Sequence, residues 1–170
     1  MAHHVMGGAY GLSGQLENAV AECELGLAIN PNSSLLVGEL GGYLASLGRA
    51  QVAIKACRLA LELNPRDPSN FWRHYMLAKA HFVAEEYETA LEESKKVAHS
   101  RTHMRSAIIW AAAAAALKKT EEAHKAVEYC LSHCPDLRAS TVVPQFIFPF
   151  ARTEDHERLV TLLQKAGLPE

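Results

Sequence analysis

Cysteine and histidine side chains cluster around residue 130, where they could bind a metal. Cys130, His133 and Cys134 lie close together, and His124 precedes them on the same predicted helix. Thiolate and imidazole groups are the usual ligands of zinc, and a structural zinc site needs four of them. Cys130, however, takes an apolar core position in that helix, and the sequence offers no second matched pair. We therefore interpret the group as a core thiol with surface histidines, and we predict no metal site.

Nucleophilic and acid–base chemistry also find little support in the sequence. Ser, Cys and His are present, but no strand–turn–helix elbow and no glycine-rich phosphate loop would place them for catalysis. Carboxylate pairs occur at Glu85-Glu86 and Glu92-Glu93, which fit a helix start and a solvated helix face. We predict no catalytic residue and no cofactor. An enzyme with a helical active site stays open as an alternative, supported by the cysteine–histidine group alone.

The composition is that of a soluble helical protein. Among 170 residues, 49% are hydrophobic and 21% are charged, and no stretch alternates strictly between apolar and polar residues, which favours an all-α class. A net charge of -2 supplies no basic field, so we predict no binding to nucleic acid or membrane. The N-terminus lacks the pattern of a secretory signal, and the four cysteines fit reduced thiols, so a cytoplasmic location is expected.

The helices that would position any functional side chain follow a repeat. Asn-Pro ends an apolar helical stretch at Pro31 and again at Pro65, thirty-four residues later. Small residues recur in register with these prolines, and alanines in the second helix of each unit are separated by 34, 37 and 33 residues, which places an insertion near 66–68. The recurring small residues are Gly7, Gly41, Ala78 and Ala111, and Ala19, Ala53, Ala90 and Ala123.

This pattern resembles the tetratricopeptide repeat over roughly residues 2–135. The resemblance implies an all-α superhelix, a solenoid of about four helical hairpins, in which small residues let the two helices of each hairpin approach closely. We divide the chain into repeats at about 1–33, 34–68, 69–102 and 103–135, followed by a C-terminal segment at 136–170. The predicted helices span 2–13, 15–29, 33–47, 49–63, 69–84, 86–99, 103–117, 120–133 and 153–166.

The two ends of the predicted solenoid differ. The last helix is stopped by a glycine cap at Gly167, and we expect it to cap the open end, with Phe146, Phe148 and Phe150 packing on the last repeat. At the other end His3 leads almost directly into the first repeat helix without polar capping sequence. We expect further residues upstream, and an exposed face that self-associates in their absence.

Several stretches also resemble the C-terminal repeat region of bacterial class III adenylate/guanylate cyclases. These stretches are 63–68, 77–82, 86–90 and 163–170. In those proteins a cyclase domain precedes the repeats, and nothing here supplies the paired metal-binding aspartates that cyclisation needs. The resemblance therefore implies a regulatory or scaffolding part of a larger signalling protein, without cyclase activity of its own.

In such a solenoid the first helix of each hairpin lines the concave surface, so residues at helical spacing on these helices form the candidate groove. The predicted partner-binding residues are Trp72, Tyr75, Lys79, Phe82, Arg105, Ile108, Gly38 and Gly42. Trp, Tyr and Arg are enriched at binding hot spots. The alternative is that Trp72 and Phe82 pack against neighbouring helices or the C-terminal segment. We expect Lys79 and Arg105 to face a partner or solvent.

Glycines in the middle of a helix destabilise it, so Gly38 and Gly42 predict the close approach either of a ligand backbone or of another element. The concave faces carry few cations, which argues against a clamp for acidic chaperone tails. We predict a protein-interaction module that binds a protein or peptide segment in its concave groove. The alternative is a homo-oligomerisation module that forms a homodimer of the parent protein.

Overall fold

The computed structural model describes residues 2–97, 103–143 and 149–170, and these residues are helical with no strand among them. The α-helices are α1 Ala2–Leu12, α2 Leu16–Ile29, α3 Ser34–Ser46, α4 Ala50–Leu63, α5 Asn70–Val83, α6 Tyr87–Lys96, α7 His103–Ala116, α8 Thr120–His133 and α9 Thr153–Lys165, with a 3-10 turn at Ala139–Thr141. None of the described helices is long and apolar enough to cross a membrane.

Consecutive helices pack in four pairs, α1 with α2 through α7 with α8, and each pair packs on the next. Helix α5 also contacts α3 and α7, so the first helices of the pairs form one layer and the second helices form the other. The recurring alanines have almost no exposed surface, and a Cβ added to Gly41 would lie 2.5 Å from Cys57 Sγ. The predicted all-α solenoid with close helix crossings is confirmed.

Proline positions set the ends of the second helices, as the sequence predicts. Helices α2, α4 and α8 end at Ile29, Leu63 and His133, in each case two residues before a proline. The residue that precedes a proline is pushed out of the helical region, which stops the helix. Helix α6 ends at Lys96, before the predicted end at residue 99, and residues 98–102 lie outside the described part of the chain.

The turn inside each pair places one residue in the left-handed region at the same repeat position. Gly14 and Gly48 have φ of 77° and 78° there, whereas Glu85 and Lys118 have φ of 61° and 57°. Only glycine adopts this conformation without a steric penalty, so the third and fourth pairs carry strain that the first two avoid. The sequence analysis missed this position, because the residue type changes while the backbone conformation stays.

Helix α9 packs against α7 and ends, as predicted, at a glycine, Gly167, with φ of 96°. Leu159 and Leu163 are fully buried in this contact, and the Ala139 N–H donates to the Pro169 carbonyl over 2.8 Å. The predicted positions of Phe146 and Phe148 fall outside the described residues. The prediction for Phe150 is wrong, because its ring lies over Lys79 of the third pair and beside Leu16 and Leu47 of the first two pairs.

Candidate functional site

The inner layer of the solenoid, formed by α1, α3, α5 and α7, carries a short stretch of the chain's own C-terminal part. We call residues 149–158 the strap and the side of the inner layer that it contacts the inner surface. Within the strap, Pro149–Arg152 precedes α9, and the remaining residues form the first turns of that helix. The strap follows the last repeat in the sequence and contacts residues of the first three pairs.

Backbone and side-chain contacts hold the strap across the C-terminal ends of α1 and α3. The Ala151 N–H donates to the Ser46 carbonyl over 2.8 Å. Pro149 lies beside Gly14, and a Cβ added to Gly48 would collide with the guanidinium of Arg152. A larger residue at the Gly48 turn would therefore displace the Arg152 side chain.

A buried carboxylate organises the middle of the strap. Asp155 has no exposed surface and accepts two hydrogen bonds from Arg152, over 2.7 and 2.9 Å, and one from Arg158, over 2.7 Å. Such charge-assisted bonds are the strong class of hydrogen bond. The two arginine side chains remain partly exposed, at 41% and 20%, so the ion cluster sits at the edge of the core.

Arg158 continues from this cluster to the C-terminal end of α5. Its guanidinium donates to the carbonyls of Phe82 and Val83 over 3.4 and 3.2 Å and to the Glu85 carboxylate over 3.0 Å. The last carbonyls of a helix lack intrahelical partners and carry the negative end of its dipole, so a cation is favourable there. Arg158 thereby caps α5 from another element.

The side chain of Lys79 on α5 contacts the strap. Its side chain is fully buried, its Nζ donates to Ser46 Oγ over 2.6 Å, and the same Nζ lies 4.5 Å from the centroid of the Phe150 ring. Burial lowers the pKa of Lys79 from 10.5 to about 7, while the charge of Asp155 acts in the opposite direction. The expectation that Lys79 faces a partner or solvent is wrong, because the strap and α3 cover it.

Most of the predicted groove residues are packed within the protein. Tyr75, Phe82 and Ile108 have no exposed surface. Gly38 and Gly42 lie against α5: an added Cβ would be 3.3 Å from Arg73 Cγ at the first position and would collide with Met76 at the second. Of the two interpretations of these glycines, the structure shows the close approach of another element.

Trp72 and Arg105 are the two predicted groove residues that keep partial exposure. The guanidinium carbon of Arg105 lies 5.3 Å from the Trp72 ring centroid, and the Trp72 and Tyr75 rings are also 5.3 Å apart. The structure therefore brings these three together near the N-terminal ends of α5 and α7. Their role in binding a partner stays a prediction.

The cysteine–histidine group near residue 130 is not assembled around a common point. Within the described ranges no three His, Cys, Asp or Glu side chains are placed to hold a metal ion. Cys130 is buried, and its burial, with a contribution from Cys134, raises the pKa of its thiol to about 12. The His133 ring stacks on Tyr129, with centroids 4.4 Å apart. The interpretation of Cys130 as a core thiol is confirmed.

Sequence reasoning missed the strap and its ion cluster. An interval of three residues separates Arg152 from Asp155 and Asp155 from Arg158, which places them on one side of the first turns of α9. This spacing was a signal in the sequence that the three side chains could interact. Charges at a helix start are ordinarily solvated, however, and the pairing partners of Arg158 lie more than seventy residues away in sequence.

Comparisons with known proteins support the fold. Residues 46–130 match the family model described as anaphase-promoting complex, cyclosome, subunit 3. No curated protein matches the chain. A crystal structure of MamA is 16% identical with a TM-score of 0.65, covering 95% of this chain and 92% of that one.

Two further solved structures are similar over almost the whole chain. A MamA RS-1 ArsTM double mutant is 18% identical, covers 98% of this chain and 91% of its own, and has a TM-score of 0.66. The TPR-like repeats of a Podosopora anserina protein named as a kinesin light chain are 16% identical, with 98% and 93% covered and a TM-score of 0.65. Likeness at these identities concerns the fold alone. Because the family match spans residues 46–130, half of the 170 residues, the chain belongs to the anaphase-promoting complex, cyclosome, subunit 3 family of tetratricopeptide-repeat proteins.

Proposed function

We propose that this chain is a protein-interaction module that binds an extended segment of a partner protein on its inner surface. Repeat folds of this kind typically mediate contacts between proteins. One observation carries the proposal: the inner surface already holds a non-helical stretch of polypeptide, Pro149–Arg152. That stretch is held by a backbone hydrogen bond to Ser46 and by the contact of the Phe150 ring with Lys79, and a surface of this kind can bind a peptide by the same means.

A second patch of suitable chemistry lies on the same layer. Trp72 and Arg105 stand in the first turns of α5 and α7, whereas the strap lies at the opposite ends of the inner helices. Trp and Arg are among the residues that dominate binding energies when a partner covers them. A segment that enters at Trp72 would run along the inner helices toward the strap.

The resemblance to the cyclase repeat region suggests the wider setting. In that setting the module is a cytoplasmic regulatory or scaffolding part of a larger signalling protein, a nucleotide cyclase. Its partner is a protein or peptide, and neither nucleic acid nor membrane takes part. The stretches named above support the cyclase setting, and the net charge of -2 argues against binding to nucleic acid or membrane.

The proposal is tested by selecting binding peptides from a random display library against the full chain. Peptides that use the inner surface should bind Trp72→Ala and Arg105→Ala about tenfold or more weakly than the wild type, as expected for hot-spot residues. The matched control is Leu59→Ala, an exposed residue of the second-helix layer, which should leave binding unchanged. If every selected peptide is sensitive to the control and indifferent to Trp72 and Arg105, the inner surface is not the binding face.

A second candidate function, homo-oligomerisation, is favoured by the outer face of α1. Val5 and Leu12 are 65% and 76% exposed, whereas Met76 and Val83, which take the equivalent positions in α5, are 1% and 4% exposed. Apolar residues at positions that the repeat otherwise buries form a ready contact for another copy. Light scattering should then show a concentration-dependent dimer that Val5→Lys with Leu12→Lys abolishes and Leu59→Lys does not. A chain that stays monomeric at high concentration would exclude this role.

A further inference from the structure

The contacts of the strap define what could take its place on the inner surface. We propose that the C-terminal ends of α3 and α5 recognise a partner segment carrying an aromatic ring, a carboxylate five residues later and an arginine three residues after that. The chain's own Phe150, Asp155 and Arg158 occupy this site as an internal competitor until the partner displaces them. The inference rests on the proposed function and specifies its ligand.

The arginine position is defined by acceptors that belong to the solenoid. The carbonyls of Phe82 and Val83 and the carboxylate of Glu85 all face the guanidinium of Arg158, and the same group lies 5.4 Å from the Phe82 ring. These acceptors stay behind when the strap leaves. A planar guanidinium can satisfy two carbonyls and a carboxylate together, which a lysine ammonium cannot match in geometry.

The carboxylate position orients the arginine. Asp155 has no exposed surface and accepts a hydrogen bond over 2.7 Å from the same Arg158 nitrogen that donates to the carbonyls of Phe82 and Val83. Asp155 is also paired with Arg152, so these three charged side chains leave together with the strap. An occupant without a carboxylate would bring an arginine into this site without its partner, and the loss of one partner from a buried ion pair is costly.

The aromatic position leaves unfilled space. The Phe150 ring lies over the Lys79 ammonium and borders a cavity of about 320 Å³ whose wall includes Leu16 and Leu47. A larger ring at this place would fill part of that cavity and would bind a cation more strongly, in the order Trp above Phe. A partner with Trp at the first position can therefore gain contacts that the strap itself does not make.

Covalent attachment gives the strap a high effective concentration, so a free segment competes only when it binds better or when the strap is weakened. A partner's apparent dissociation constant equals its intrinsic value divided by the fraction of molecules whose site is open. The first test therefore uses a labelled peptide with the sequence of residues 149–158 and measures its anisotropy with the full chain. The expected result is binding to Phe150→Ala about tenfold or more tightly than to the wild type.

Matched peptides check the three recognised groups. On the Phe150→Ala chain, a peptide with Phe150→Trp should bind more tightly than the unchanged peptide, and peptides with Asp155→Asn or Arg158→Lys should bind about tenfold or more weakly. If the Phe150→Ala chain melts like the wild type and binds the peptide no more tightly, the strap does not cover this site and the proposal is wrong. The proposal is also wrong if the three altered peptides all bind as tightly as the unchanged peptide.

A second measurement uses the wild-type chain and does not depend on the folding of a variant. An excess of the unlabelled Trp peptide should speed hydrogen exchange of the Ala151 amide, which is bonded to the Ser46 carbonyl. It should leave unchanged the Ala53 amide, which is bonded to the Arg49 carbonyl at the start of α4. Exchange at Ala151 that does not respond overturns the proposal. If library peptides bind through Trp72 and Arg105 but leave Ala151 unaffected, this inference fails while the proposed function stands. If no peptide depends on the inner surface, the proposed function fails.

Discussion

Lys79 should make the stability of the solenoid rise with pH, and Lys79→Met should remove that rise. Burial lowers the pKa of Lys79 to about 7 in the folded chain, against 10.5 when the side chain is free. Between these values the unfolded chain binds more protons than the folded one, so the free energy of unfolding increases with pH. Below about pH 7 both states are protonated, and the folded chain carries the full cost of the buried charge.

The size of the effect follows from the two pKa values. Each pH unit inside the window adds at most about 1.4 kcal/mol, and integration from about pH 6.5 to about pH 8.5 gives roughly 2 kcal/mol. Above the ordinary thiol pKa of 9.0 the buried Cys23, Cys57 and Cys130, each with a pKa raised to about 12, act in the opposite direction. The test therefore stops at about pH 8.5, before the unfolded thiols ionise appreciably.

Methionine is a suitable replacement because it is unbranched, is shorter than lysine by a single atom, and places a thioether near the Phe150 ring. The Ser46 hydroxyl still donates to the Gly42 carbonyl over 3.2 Å, so the change leaves no orphaned donor there. Lys79→Met should thus be more stable relative to the wild type at low pH, and its advantage should shrink by about 2 kcal/mol up to about pH 8.5.

Urea unfolding monitored by circular dichroism at several pH values measures this difference. Lys55→Met, at an exposed position of α4, is the control and should follow the wild-type curve. If the curves of Lys79→Met and the wild type stay parallel within about 0.5 kcal/mol across the window, then Lys79 keeps its proton in the folded chain. The account of a cation held by burial at a lowered pKa would then be refuted.

Three further experiments test the ion cluster, the helix packing and the left-handed turn. Asp155→Asn should lower the free energy of unfolding by about 2–3 kcal/mol in urea, since it removes a fully buried charge from two arginine partners that can still reach water. Gly41→Ala should lower the free energy of unfolding by about 1–3 kcal/mol, because the new Cβ overpacks against Cys57. Its control, Gly8→Ala, has nothing within 4 Å of the new Cβ and should stabilise α1 by about 0.5–1 kcal/mol. Equal effects of the two substitutions would contradict the close helix crossing at Gly41. Lys118→Gly should raise the melting temperature by relieving a left-handed φ of 57°, worth about 1 kcal/mol, and a lower melting temperature would show that Lys118 is not strained.

The fold could be predicted because the same packing requirement recurs in each repeat of the sequence. Ala53 and its equivalents must be small for two helices to cross, and the Asn-Pro stops at Pro31 and Pro65 fix the helix ends locally. The left-handed turn position shows the limit of that logic. Glu85 and Lys118 adopt the conformation of Gly14 although their residue type gives no hint of it.

The candidate site was less predictable, because its contacts join segments far apart in the sequence. Helical spacing grouped Tyr75, Lys79 and Phe82 on one side of α5, yet spacing alone cannot tell an open groove from one covered by a later segment. The covering segment had one visible clue, the interval of three between Asp155 and Arg158, whose acceptors at the end of α5 depend on tertiary packing.

The insertion that breaks the repeat period has a structural role that bears on binding. Asp67 in the insertion accepts a hydrogen bond from Arg73 over 2.9 Å, and Arg73 also donates to the carbonyl and the hydroxyl of Ser34. The insertion thus ties the start of α5 to the start of α3. At the opposite ends of the same two helices, the strap bridges Ser46 to the carbonyls at the end of α5.

Helices α3 and α5 are therefore fixed to each other at their N-terminal ends whether or not the strap is in place. Arg73 is almost fully buried, and the loss of either partner from such a pair is strongly destabilising. Exchange of the strap for a partner would consequently change the contacts at Lys79 and Phe82 without moving α3 against α5. A surface that keeps its shape loses little conformational freedom on binding, so competition between strap and partner depends on the three side chains that each presents to the inner surface.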